Sequence, residues 1–444
     1  GLYCPRSAKK SGVTYDSSMT EPHQPRSSGY AAGPWPAEDG GPQRQGLVEG
    51  LGSLVPGVDE AFSVVSRLQI ATTMVITPSS DATYLLTHGI GDEATVAVEQ
   101  IDPDTLATIA RSADLPGGRI WPGGIGAHAN GDLYVAFGRH LHRLSKSLDL
   151  LASVELSVDA PHNSFVITDS GHLVVKDFGG RLPSGWTGDG TCTISVLDAQ
   201  LTLLSQLRLD EGSIARLSCW GDDVVVIGID HCITARVSRD GIITEVRRTK
   251  YRTEAGQGYG WDPVLVDRTA YFLDNGEGSE AFDGSFTGKG IATAPLRLHA
   301  VNIDSGDHSS AEICGLPGGL IANPPLVDPG RGIAVGYDSS NGVISAFDVA
   351  GGVIGPLRWQ RLQHHASHLL ASSDLGELVT FDFNAGAGVD ELVVLSIDTG
   401  EELARSATDS PVQSVLFPSP GRDRSIYYCS LTTVAKISVH TVKG

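Results

Sequence analysis

A short apolar strand, a tight polar turn and a second apolar strand follow one another eight times along this chain. The clearest copy lies in APHNSFVITDSGHLVVKDFGG, Ala160 to Gly180: a strand from Ser164 to Thr168, the turn Asp169-Ser170-Gly171, and a strand from His172 to Lys176. Gly171 can take φ > 0, and the Asp and Ser side chains can bond the turn backbone, so the segment predicts a tight hairpin. The other copies begin at Met74, Ile125, Ala215, Asp262, Pro324, Ser367 and Ser414. Intervals of about 40–60 residues are the period of propeller blades.

Each hairpin is followed by a third strand ending in an acidic or small-residue turn, as in ISVLDAQ at Ile194 or VVLSIDTG at Val393. A fourth, less apolar strand often follows, such as LTLLSQLRL from Leu201. Four antiparallel strands per repeat, the inner ones most apolar, predict an all-β fold: a single β-propeller of about eight four-stranded blades, or seven should two weak copies merge. Residues 1–60, rich in Gly, Pro, Ser and Gln, are expected to be an irregular N-terminal segment, and 61–444 the propeller. The last copy supplies only three strands, the third from Val434 to Val439, whereas Phe62 to Leu68 is a strand without a hairpin. Pairing the two closes the ring and removes two exposed edges. On this reading truncation before Glu60 is harmless and truncation past Gln69 is not.

Composition agrees with many turns and few helices: 54 glycines and 23 prolines in 444 residues, and no long window of helical periodicity. No apolar run is long enough for a membrane span. A net charge of −20 argues against nucleic acid as a partner. Six cysteines are scattered without CxxC or metal-type spacing, as expected of buried thiols. The N-terminus lacks the apolar stretch of a signal peptide, and the expected location is cytoplasmic.

The hairpins with their D-x-x-G type turns resemble the PQQ-repeat propellers related to quinoprotein alcohol dehydrogenases. PWPAEDGGPQRQG, from Pro34, is similar to the "WP…G" lead-in that those chains carry before their first strand. The resemblance covers residues 34–444 and implies a propeller of about eight blades. Two features of the catalytic members are missing: an adjacent cysteine pair to lie against the quinone, and a CxxCH haem site. PQQ is therefore not the expected cofactor.

In a propeller, the starts of the innermost strands and the ends of the second strands reach one face, around the mouth of the central channel. The two longest insertions, 177–191 and 274–295, join second to third strands and should rise on that face. Candidate ligand-binding residues are Asn163, Trp261, Asp262, Asn323 and His365; candidate catalytic residues are His162, Lys176 and Asp177. Carboxylates around one axial ion would suit Ca²⁺ or another divalent cation, with Asp262, Asp274 and Asp338 as candidate ligands. Turn capping is the better explanation of Asp274, Asp338 or Asp382 taken alone. No GxSxG elbow, P-loop or HExxH is present. These features point to a propeller that binds or enzymatically transforms a small molecule at a lid-covered mouth. A non-catalytic scaffold for protein partners is the alternative, and a quinoprotein-type dehydrogenase the minor one.

Overall fold

A computed structural model describes residues 29–118, 122–162, 164–179 and 190–442. Within them the chain forms eight antiparallel sheets, and short 3₁₀ turns at Glu38–Gly40 and Ser279–Ala281 are the helical elements. The sheets follow one another as blades one to eight: residues 72–118, 124–155, 165–209, 218–250, 264–312, 326–362, 370–407, and 419–441. In each of the first seven, four strands pair in chain order from the channel outward, and blade one carries a fifth, Leu115–Gly118, on its third strand. The eight-bladed all-β architecture read from the repeats is the one observed.

Burial explains the order of the strands. Innermost strands such as Phe165–Ile167 and Val264–Val266 are buried on both faces, between neighbouring blades. Fourth strands such as Leu150–Glu155 and Leu203–Leu209 alternate between exposed and partly buried residues, because only one of their faces meets a neighbour. The defining hairpin turns at Gly171, φ 82°, whose N–H donates to Thr168 O at 2.9 Å. Ser170 does not bond its own turn: its N–H and hydroxyl both donate to Asp222 Oδ1, at 3.0 and 2.8 Å, in the first hairpin of the next blade.

The ring closes as expected. Strand Glu60–Leu68 pairs antiparallel with Thr433–Thr441 in unbroken register, Phe62 opposite Val439 and Arg67 opposite Val434. It is the outermost strand of blade eight. Phe62 and Val64 pack on the core, whereas Val65 points outward.

Residues 29–55 have little regular structure, yet they are tightly packed. They run past the hairpin-turn end of the channel and bond the free edges of innermost strands. Ala31 N–H donates to Ala127 O at 2.9 Å and Val48 N–H to Ala371 O at 2.8 Å; Cys219 N–H donates to Pro42 O and Leu265 N–H to Gln43 O, both at 2.9 Å. Unpaired strand edges facing a channel would otherwise need water, so this arm completes the inner sheets' hydrogen bonding. Trp35 and Leu54 of the arm are buried in the core. Removal of all residues before Glu60 would strip these bonds, which bears against the expectation that such a truncation is harmless.

Candidate functional site at the channel mouth

At the other end of the channel a cavity of about 570 Å³ opens. Its walls are made by residues just before innermost strands, Arg216, Trp261, Asn323 and Phe417, and by the 274–295 connection, through Phe282 and Phe286. That connection joins the second and third strands of blade five and leans across the mouth. Gly288 N–H donates to Ser340 O at 3.0 Å, and Gln413 N–H donates to Gly284 O at 2.8 Å, anchoring it to blades six and eight. Phe286 packs against Leu320 and Ala366, with Ala322 and Val415 beside them. Trp261 is seated by Gly276: a Cβ there would stand 2.5 Å from the indole.

Beneath the cavity lies a buried charge network built half from the arm and half from the blades. Arg44 pairs with Glu38, and donates to Ser164 Oγ at 2.9 Å and Leu217 O at 2.8 Å. Arg216 reaches down to Glu38 Oε1 at 2.9 Å and sideways to Pro122 O at 2.6 Å, with its guanidinium 4.7 Å from the Phe417 ring centre. His368 Nδ1 lies 3.0 Å from the Asp39 carboxylate, and its ring stacks on Phe417 at 3.9 Å. Burial opposes the Arg44 charge, but the fields of Glu38, Asp262 and Asp39 outweigh it and hold that guanidinium above its usual range.

The candidates named from sequence fall in different places. Trp261 and Asn323 stand on the cavity wall. Asp262 lies below it, fully buried, accepting Arg216 N–H on Oδ1 at 2.7 Å, while Oδ2 has no hydrogen-bond partner among the described residues. Burial pushes its carboxyl up, against the pull of Arg44, Arg216 and His368. Lys176 is buried: its ammonium donates to Asp177 O at 2.9 Å and Ser213 O at 2.7 Å, over the Phe178 ring, and burial lowers its pKa. The Asp177 carboxylate accepts Thr193 N–H at 2.6 Å. His162 and His365 are enclosed, bonded to backbone at Ala160 O and Phe381 N, and burial takes both imidazoles down to about 4.

Asp274 accepts from His299 and Gln257, both at 2.9 Å, and from Arg297 N–H at 2.7 Å. Asp338 accepts the N–H groups of Ser340 and Asn341 at 3.1 and 3.0 Å, as a turn cap does. Among the described residues no three His, Cys, Asp or Glu side chains gather as a metal site would require. Asn163 and the middle of the 177–191 connection lie outside the described residues. Glu38, Asp39, Arg44 and Arg216 went unnamed in the sequence reading. The first three sit in the irregular arm, and Arg216 stands two residues before its innermost strand, as Asp262 does before its own, so comparing strand starts across copies would have found it.

Similarity to known proteins is confined to structure. No family model matches the chain, and no curated protein matches it in sequence. The quinohemoprotein alcohol dehydrogenase ADHIIG from Pseudomonas putida HK5 is similar over 93% of this chain and 81% of its own, with a TM-score of 0.62 and 10% identity. The quinohemoprotein alcohol dehydrogenase from Comamonas testosteroni is similar over 91% of this chain and 80% of its own, with a TM-score of 0.61 and 9% identity. BamB from Moraxella catarrhalis covers 84% of this chain with 100% of its own, at a TM-score of 0.54 and 12% identity. At such identities the likeness is one of fold.

Proposed function

We propose that this quinoprotein-like propeller binds one small, largely apolar organic molecule in the mouth cavity, beneath the 274–295 connection. The observation that carries the reading is the lining: Trp261, Phe282, Phe286 and Phe417 face a space of about 570 Å³, with Arg216 and Asn323 among the few polar groups. A concave, mostly aromatic site of that size with a few placed polar groups is the usual form of a small-molecule pocket.

The lining does not suit the quinone of the structural neighbours. A tricarboxylate needs several cations, and Arg216 is already engaged with Glu38 and the Pro122 carbonyl. No step is routed through that cofactor. Asp274 and Asp338 are occupied by their own surroundings, so the reading does not rest on a divalent cation either. A protein-binding role is the second reading, favoured by Ile70 and Ile90, which are 54% and 72% exposed at the rim of the same mouth.

The test is titration with the fluorescent hydrophobe N-phenyl-1-naphthylamine. The wild type should show saturable binding at one site, and Ala322→Trp, which fills the cavity from its wall, should abolish it without lowering the melting temperature by more than a few degrees. Equal or non-saturable uptake by both proteins would remove the pocket reading and leave the scaffold.

A further inference from the structure

Two polar groups on the cavity wall have half-complete hydrogen bonding among the described residues: His88, whose Nδ1 is bonded to Gly89 O at 2.8 Å and whose Nε2 has no partner, and Asn323, through its amide oxygen. Asn323 is 4% exposed, and its amide nitrogen donates to Ala366 O at 2.5 Å and to Val415 O at 3.0 Å. Two carbonyl acceptors decide the orientation of the amide, because an oxygen turned toward them would meet no donor. The remaining atom, Oδ1, accepts no hydrogen bond from the described residues, and the side chain forms part of the cavity wall. An amide oxygen held among apolar side chains calls for a donor from whatever fills the space.

The rest of the lining narrows the choice. The donors of Arg216 are directed to Glu38 and to Pro122 O, and the Asp262 carboxylate lies directly below, 4.0 Å from Arg216 Nε. An anionic ligand entering here would compete with Glu38 for the guanidinium and approach a second buried carboxyl group. Glu280, on the lid side of the same cavity, adds to that repulsion. Phe282, Phe286 and Phe417 offer ring faces and edges rather than charge.

The geometry points to a neutral ring compound carrying a hydroxyl or N–H donor, and no carboxylate, with the donor on Asn323 Oδ1. This assignment rests on the pocket reading above and goes further by naming the ligand's chemistry. Asn323 acts here as a specificity residue: it selects against ligands of the same shape that lack the donor.

Displacement of bound N-phenyl-1-naphthylamine at pH 7 tests it with three probes of one skeleton: 2-naphthol, 2-methylnaphthalene and 2-naphthoate. The methyl compound matches the naphthol in shape and is the more hydrophobic, so without a hydrogen bond it should win by about tenfold. With the bond, 2-naphthol should displace at an equal or lower concentration, and 2-naphthoate should be the weakest. Asn323→Leu should weaken 2-naphthol by about tenfold and leave 2-methylnaphthalene unchanged or tighter. If that variant does not fold, the wild-type ranking alone decides. A wild-type preference for 2-methylnaphthalene or 2-naphthoate, or no displacement by any of the three, overturns the donor assignment while bound N-phenyl-1-naphthylamine leaves the pocket standing. Failure of N-phenyl-1-naphthylamine itself to bind overturns the pocket.

Discussion

Asp390 shows how burial sets the chemistry of single residues in this ring. It is fully buried between blades seven and eight, accepting Tyr428 O–H at 2.7 Å and Ser414 N–H at 2.9 Å, with Oδ1 unpartnered among the described residues. Burial pushes its carboxyl up to about 7, against those two hydrogen bonds. Below about pH 4 the group is protonated in folded and unfolded chains alike and has no effect. From there to its folded value the unfolded chain releases the proton and the folded chain keeps it, so folding loses about 1.4 kcal/mol per pH unit, and above that value the loss is constant. Asp390→Asn removes this titration. Urea denaturation of both proteins across the range should show the wild type losing stability relative to the variant up to neutral pH, then a flat difference. A difference independent of pH would mean the carboxyl is ionised in the native protein.

Among the elements, the closing strand matters most because the whole ring depends on it. Glu60–Leu68 supplies a full set of pairs to Thr433–Thr441 and covers its edge with Phe62 and Val64 on the core side. Each ladder hydrogen bond is worth on the order of 1 kcal/mol net, and an open, apolar edge is a template for pairing with another chain. A chain beginning after Gln69 should therefore aggregate on refolding, seen as light scattering, whereas Val64→Asp should remain monomeric and lose about 1–3 kcal/mol in denaturant titration. Equal behaviour of the truncated and full chains would mean that blade eight holds without its outer strand.

For the molecule as a whole, the arm fills in the inner strand edges at the end of the channel opposite the mouth cavity. Chains beginning at Gly29 and at Pro56 separate the two parts of the N-terminal segment. The first should melt as the full chain does. The second loses Glu38 from beneath Arg216, and stranding a buried charge of this kind costs about 3–5 kcal/mol. It also frees the inner strand edges now bonded at Cys219, Leu265 and Ala371. Its melting temperature should fall by many degrees, and N-phenyl-1-naphthylamine should bind more weakly because the cavity floor has loosened. A Pro56 chain with full stability would show that the blades alone define the channel.

What the sequence determined by itself was everything carried by local periodicity. Two-residue alternation, turn residues such as Gly171 and the recurrence of one hairpin are properties of neighbouring residues, so the number of blades and even the pairing of strand 62–68 with strand 434–439 could be reached by counting. Strand starts also marked Trp261 and Asn323 as facing the channel end. Tertiary structure alone decided the depth at which each side chain stops: Trp261 on the wall and Asp262 under the floor differ by one residue, the pleat sending them apart. It alone decided that Lys176 is spent on backbone carbonyls and Asp338 on its own turn. The arm left least trace of all. Glu38 meets Arg216, and Arg44 meets the Leu217 carbonyl, across more than 170 residues, and a contact between segments so distant has no period for a sequence to display.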